Sequence, residues 1–248
     1  MKIAQSRFFL ISILIAAIFI PSSLFGLSYK PYNGEHLNYN IKWGPLPAGV
    51  ARIDFSKNGS TYFIHLQAKT HPYFDLFYPI RLYIESRLTE NLEALRFFQD
   101  YKEGFRRKKK EKIIFSSEQG TASYYKNGKH KRTIPVPHDI FDPLSILNAF
   151  RQFDMDSQEK HIKVTDGKKI IQGNITLLRR EKVKTAAGLF DTMVLRSNVK
   201  GIGGVFRDDP KATITLWISD DSRRIPVRLA SKLKIGSFSA ELANFKRN

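Results

Sequence analysis

Cysteine is absent from the 248-residue chain. That excludes disulfides, thiolate metal sites, a cysteine nucleophile and lipid attachment through an N-terminal cysteine. Zinc signatures are missing as well: His36, His65, His71, His130, His138 and His161 include no His-Glu-x-x-His or His-x-His spacing. Ser145 lacks the Gly-x-Ser-x-Gly elbow of a serine hydrolase. Gly201-Ile202-Gly203-Gly204 lacks the third glycine of a dinucleotide fingerprint and reads as a mobile loop. No cofactor and no catalytic residue is therefore expected. Acidic residues are scarce, 23 against 41 basic ones, for a formal charge of +18. Lys2 and Arg7 supply two of those charges, so the excess belongs to the body of the chain. It suits nucleic acid, anionic lipid head groups or acidic glycans, and charge alone does not choose among them.

The first 26 residues narrow that choice. Lys2 and Arg7 precede an apolar run from Phe8 to Ile20, and Pro21-Ser22-Ser23-Leu24-Phe25-Gly26 follows. The run is shorter than the roughly 20 residues of a spanning helix, and small residues stand where a peptidase cuts, so residues 1–26 read as a secretory signal. The alternative is an uncleaved anchor from Phe8 to Leu27. Either way the body lies outside the cytoplasm, in the periplasm, which argues against nucleic acid as its partner. No repeat, linker or composition break divides residues 27–248, and a single β-rich domain is expected.

What is present is alternation. Leu37, Tyr39, Ile41 and Trp43 share one face of a strand, with Asn38, Asn40 and Lys42 on the other. Hairpin signals recur at Asn58-Gly59, Asn127-Gly128 and Asp166-Gly167. Glu103-Gly104 reads as a further two-residue turn, which would set Asp100 opposite Arg107. In the last segment Leu233 and Ile235 are out of phase with Phe238, Ala240 and Leu242, and a bulge at Gly236-Ser237 would restore one face. One helix interrupts this meander, at 142–153. Asp142 suits its cap and Pro143 its first position, while Ile146, Leu147, Phe150 and Phe153 form an apolar stripe. The expected fold is mainly β, an antiparallel, strongly curved sheet or open barrel wrapping that helix.

Several short blocks carry a resemblance. Gly49-Val50-Ala51, Tyr78-Pro79 with Glu85-Ser86, Asp142-Pro143-Leu144-Ser145, Gly188-Leu189-Phe190, the block Trp217 to Arg228 and Gly236-Ser237-Phe238 together resemble the family known as domain of unknown function 3108. That family groups exported bacterial envelope proteins. The resemblance implies a periplasmic β protein, similar in architecture to curved-sheet lipoprotein carriers, and it brings no activity or catalytic residue with it.

Three stretches are candidates for function. The proline-bracketed aromatic segment His71 to Pro79 reads as core or lid packing, or as a ligand surface. If the helix leaves the concave face unfilled, Phe74, Phe77, Tyr78 and Phe141 are the expected lining. The basic strand Arg106, Arg107, Lys108, Lys109, Lys110 and Lys112 reads either as a solvated edge that resists aggregation or as a contact for an anionic membrane surface or glycan. His138-Asp139 with Asp142 offers nitrogen and oxygen ligands, but a capped helix start accounts for them without a metal, as a turn does for Asp220-Asp221. The leading expectation is a non-enzymatic envelope protein that binds a lipid-like or amphipathic ligand. The alternative is a structural or adaptor protein that holds anionic envelope polymer or a protein partner. An enzyme would need carboxylates or histidines to converge from distant parts of the chain.

Overall fold

The computed structural model describes residues 31–154, 157–198, 213–233 and 236–247. The leader, the Gly201–Gly204 segment and Ile235 lie outside the described residues. The first half of the chain forms β1 (Glu35–Trp43), β2 (Leu46–Asn58), β3 (Thr61–Thr70), the short α1 (Pro72–Asp75), β4 (Ile80–Leu88), β5 (Ala94–Glu103), β6 (Arg107–Ser116), β7 (Thr121–Lys126) and β8 (Lys129–Pro135). The second half forms β9 (Ile140–Phe141), α2 (Ile146–Arg151), β10 (Glu159–Thr165), β11 (Ile170–Thr185), β12 (Gly188–Ser197), β13 (Thr213–Ser219), β14 (Pro226–Leu233) and β15 (Gly236–Arg247).

These strands make one 15-stranded sheet in which sequence neighbours are spatial neighbours, and β1 pairs with β15. All pairings are antiparallel except the short β9 against β10. The two free edges, β8 and β9, are consecutive in the chain, so the sheet is an open barrel with its seam between them. Side chains span that seam. The Arg132 guanidinium donates to the Lys168 carbonyl at 3.3 Å, and the Lys168 ammonium lies 3.2 Å from Glu111 and 4.6 Å from the Tyr124 ring centre. Glu111 is mostly buried, which on its own raises a carboxyl pKa, yet Lys109, Tyr124 and Lys168 together hold it below the usual range.

Burial follows the alternation of the sequence. Leu37, Phe55, Ile64, Leu88, Phe97, Ile113 and Tyr124 line one face of β1 to β7 and join Phe190, Val194, Trp217 and Ile225 in a first core cluster. A second cluster packs Ala149, Phe150 and Phe153 against Ile162, Val164, Met193, Leu195, Leu216 and Ile218. Strands β12 and β13 are thus covered on both sides, which is why each carries an unbroken apolar run, Met193-Val194-Leu195 and Leu216-Trp217-Ile218. Among the described residues, no helix is long and apolar enough to cross a membrane.

The helix is shorter than its sequence pattern, six residues where 142–153 was expected. Asp142 does cap, but it caps the turn before the helix: its Oδ1 accepts the amides of Leu144 and Ser145 at 2.8 Å. The apolar stripe faces the sheet as expected, with Phe150 and Phe153 buried. Arg151 on the same helix is also wholly buried and meets Glu35 of β1 at 2.6 Å.

Turn chemistry departs from expectation in four places. Only Asn127-Gly128 is the two-residue loop as read, both residues at positive φ, with Lys126 paired to Lys129. Asn58 instead pairs with Thr61, so the loop is Gly59-Ser60, and Thr165 pairs with Ile170 across a four-residue connection. Glu103 faces Arg107 and Asp100 faces Lys110, because Gly104, Phe105 and Arg106 form a three-residue turn whose Gly104 amide is tied to the Pro79 carbonyl at 2.8 Å. The phase change near Gly236 is a hairpin, Leu233 opposite Gly236, and not a bulge. A bulge does occur in β15, at Ala243, since Asn38 faces Asn244 while Tyr39 faces Leu242.

Candidate ligand groove

The face of β1 to β6 turned away from the first core cluster carries its residues in cross-strand rows. One row runs Val50, Lys69, Arg81, Lys102 and Lys108, each opposite the next. The adjoining row runs Asn38, Arg52, Gln67, Tyr83, Asp100 and Lys110. Both rows, as far as Lys102 and Asp100, line a groove of about 880 Å³ together with Phe98 and Asn244. Its walls therefore include side-chain amides, cations, the Asp100 carboxylate and the rings of Tyr83 and Phe98.

Like charges directly opposite one another in a sheet repel. Lys69, Arg81, Lys102 and Lys108 are four of them in succession. Asp75, held at the end of α1, relieves one position by pairing with the Arg81 guanidinium at 2.5 and 2.9 Å. Among the described residues, no carboxylate forms an ion pair with Lys69, Lys102 or Lys108. This is an arrangement that an anion would complete.

The Asp75–Arg81 pair makes its own prediction. Hydrogen bonding from Arg81, and then from Thr70, lowers the Asp75 pKa from 3.8 to about 2. The folded state therefore binds this proton less readily than the unfolded one. The contribution to stability is present above about pH 4 and lost as pH falls through the folded value near 2. In Arg81→Gln the Asp75 carboxyl should titrate higher, moving toward 3.8 while Thr70 still holds it below that value, as followed by NMR of the carboxyl carbon.

Beyond the groove a row of rings crosses the same face: Phe63 stacks on His65, His65 on Tyr83, and Tyr83 tilts against Phe98, with centroids 6.1 to 6.2 Å apart. Glu85 sits among them. Burial raises its pKa, but the Arg87 guanidinium at 2.7 Å and His65 at 3.4 Å bring it below the normal range. Asp54 is similarly occupied, by His36 at 2.5 Å and Arg52 at 2.7 Å.

The residues expected from the sequence scatter. Phe74, Phe77 and Tyr78 sit together on the β3–β4 connection, outside the groove, with Phe74 against Trp43 and the Tyr78 hydroxyl donating to Glu103 at 2.6 Å. Phe141 packs elsewhere, against the cluster beneath α2. The space between α2 and the sheet is filled by Phe150, Phe153 and their neighbours. The basic strand divides by pleat. Lys108, Lys110 and Lys112 extend the groove face, Lys110 pairing with Asp100 at 3.2 Å and Lys112 lying 4.4 Å from the Tyr125 ring centre. Arg107 pairs with Glu103 at 2.9 Å and Lys109 with Glu111 at 2.6 Å, while Arg106 belongs to the turn. Lys69, Arg81 and Lys102 were not singled out from the sequence, because what makes them a set is register across two connections.

The remaining polar candidates are structural. Asp142 accepts from Ser86 at 2.5 Å as well as from the two amides of its turn, and Asp139 pairs with Lys163 at 3.0 Å. Asp221 holds Ser219 and Arg223 in the turn between β13 and β14. Among the described residues, no three His, Asp or Glu side chains are grouped to hold a metal.

The groove and the sheet that carries it can be set beside known proteins. Residues 38–243 match the model of a family described as "Protein of unknown function (DUF3108)". No curated protein matches the chain in sequence. The crystal structure of a β-barrel-like protein of domain of unknown function DUF1849 from Brucella abortus is similar at a TM-score of 0.62 and 9% identity, over 88% of this chain and 100% of that one. A hypothetical protein from Chlamydia trachomatis reaches a TM-score of 0.37 at 10% identity, over 87% of each chain. The lipoprotein LppX of Mycobacterium tuberculosis reaches 0.29 at 10% identity, over 89% of this chain and 90% of that one. At such identities likeness speaks to fold alone, and the Brucella structure carries it: a β-barrel-like fold shared along the whole of that chain.

Proposed function

This chain belongs to the DUF3108 family of proteins of unknown function, and on that premise we propose that it is an exported, non-enzymatic envelope protein that holds the anionic head of an amphipathic ligand in the groove. The observation that carries this reading is the cross-strand succession Lys69, Arg81, Lys102, Lys108, which borders a concavity of about 880 Å³. Such a volume is ordinary for a small-molecule site, and repulsion along the row is relieved by a bound anion. The amides of Asn38, Gln67 and Asn244 can hydrogen-bond a polar head, and Tyr83 and Phe98 can pack against its carbon skeleton. The leader pattern of residues 1–26 supports export. Binding without chemistry is supported by the state of the nearby carboxylates, since Asp54, Glu85 and Asp100 are each engaged by a cation.

The adaptor reading has one observation in its favour. The charged face does not stop at the groove but continues through Lys108 and Lys110 onto β6. A long anionic polymer would use that continuation and a single head group would not.

Titration with a short-chain anionic phospholipid separates the two. Three groove cations at roughly 1 kcal/mol each imply that Lys69→Gln, Arg81→Gln and Lys102→Gln together weaken binding by about 100-fold. Added salt should weaken it further. The ligand reading fails if the triple variant binds the phospholipid as well as the parent, or if only polymer is retained and Lys108→Gln with Lys110→Gln abolishes that retention.

A further inference from the structure

At one end of the sheet three connections meet. The start of β2 joins the β3–β4 connection through the Tyr73 hydroxyl, which donates to the Pro47 carbonyl, and through the His71 amide, which donates to the Ala48 carbonyl at 3.0 Å. The β5–β6 turn joins the same connection through the Gly104 amide on the Pro79 carbonyl. Beside them Trp43 stacks on Phe238 with ring planes 2° apart. This assembled rim points large apolar side chains into solvent: Leu46 is 54% exposed, Leu76 75%, Phe77 77% and Phe105 74%. Single exposed apolar residues are unremarkable, but four on one rim need a reason.

The opposite end offers the contrast. Between β2 and β7 the connections there are Gly59-Ser60, Thr89 to Glu93, and Ser117-Glu118-Gln119-Gly120, which are polar apart from a buried Leu92. Along β1 to β7 the apolar tips are therefore a property of one end; across the sheet a lone exposed Leu189 follows the β11–β12 turn at the other.

Charge surrounds the apolar rim on its inner side. Arg106, Arg107 and Lys108 follow Phe105 directly, and Lys102 lies opposite Lys108. The two acidic side chains of this rim are already engaged, Asp75 by Arg81 and Glu103 by Arg107. Apolar tips ahead of a collar of cations match the layering of an anionic bilayer, whose acyl boundary lies just beneath its phosphates. A protein partner would need an apolar pocket ringed by acids, whereas a membrane supplies both layers at any point.

We propose that this end of the sheet docks on an anionic lipid bilayer, with Leu76, Phe77 and Phe105 entering the acyl boundary and Arg106, Arg107 and Lys108 lying at the phosphates. Apart from Lys108, which continues the row bordering the groove, the residues that do this are distinct from the groove, so docking through the apolar tips stands whether or not the groove takes a ligand.

The exported protein, purified from cells, is floated with vesicles of phosphatidylglycerol and phosphatidylethanolamine, and separately with vesicles of phosphatidylcholine. It should bind the anionic vesicles and bind the neutral ones at least about 10-fold less well. The variant Leu76→Ser/Phe77→Ser/Phe105→Ser should lose about 100-fold in partitioning onto anionic vesicles while its thermal midpoint stays with the parent, because all three side chains stand in solvent. Arg106→Gln/Arg107→Gln/Lys108→Gln should erase the preference for anionic over neutral lipid. Unchanged partitioning of the serine variant overturns the proposal. So does a parent that leaves anionic vesicles behind and instead sediments as a dimer that the serine variant abolishes, since that would make the rim a contact between two copies.

Discussion

Glu35→Ala loses about 3–5 kcal/mol of unfolding free energy in a urea titration, although it removes one side chain at the first residue of a strand. The Glu35 carboxylate has no exposed surface and is shared between two guanidiniums: Arg151 at 2.6 and 3.1 Å, and Arg247 at 2.7 and 2.9 Å. Arg151 is wholly buried as well, its guanidinium 4.8 Å from the Phe55 ring centre. Both arginines also donate to the Arg223 carbonyl. Without Glu35 the Arg151 charge stays in the core without the carboxylate that grips it at two distances, and moving it to water would mean withdrawing α2 from the sheet. Arg247 is partly exposed and can turn outward. Glu35→Leu combined with Arg151→Met should therefore recover most of the loss, since an apolar pair of similar volume replaces a buried ion pair at little cost. If Glu35→Ala alone costs under about 1 kcal/mol, the pair is exposed in solution and this account of how α2 is held is wrong.

Phe150→Ala should be comparably severe, about 3–5 kcal/mol in the same titration. Phe150 is buried at the centre of the second cluster, where the helix meets the sheet through Phe150 and Phe153. A six-residue helix has too few internal hydrogen bonds to persist by itself, so its ring contacts decide whether it stays docked. Phe150→Leu should cost well under half as much, because it leaves a smaller void. A loss below about 1 kcal/mol for Phe150→Ala would mean that the core collapses around the gap and that the helix does not anchor this face.

Much of the fold was legible because antiparallel sheets write their faces into the sequence. The alternation at Leu37 and Tyr39 named the buried side of β1, and the stripe ending in Phe150 and Phe153 named the buried side of α2. Some of the blocks on which the resemblance rests are packing constraints. A Cβ on Gly49 would sit 2.3 Å from the Lys69 carbonyl oxygen, and Ser86 and Asp142 come from two of those blocks to form one hydrogen bond. What stayed hidden was register. Whether Arg81 stands opposite Lys69 and Lys102 depends on how the β3–β4 and β4–β5 connections are wound, and a slip of one residue would have placed Leu82 there instead. The burial of Arg151 was hidden too, since a basic residue in the last turn of a helix reads as surface until Glu35 arrives from 116 positions away.

The closure of β1 onto β15 governs how this molecule can assemble. Asn38 and Asn244 are 206 positions apart, so β1 has its β2 neighbour early and its second neighbour last of all. Until then one whole side of β1 is an unpaired edge, open to any other extended chain nearby. A polypeptide threaded through a translocon from its amino end would carry that vulnerable strand for the full duration of its emergence. Folding is then slow by topology, and the species most prone to aggregate is a nearly finished sheet that lacks its final strand.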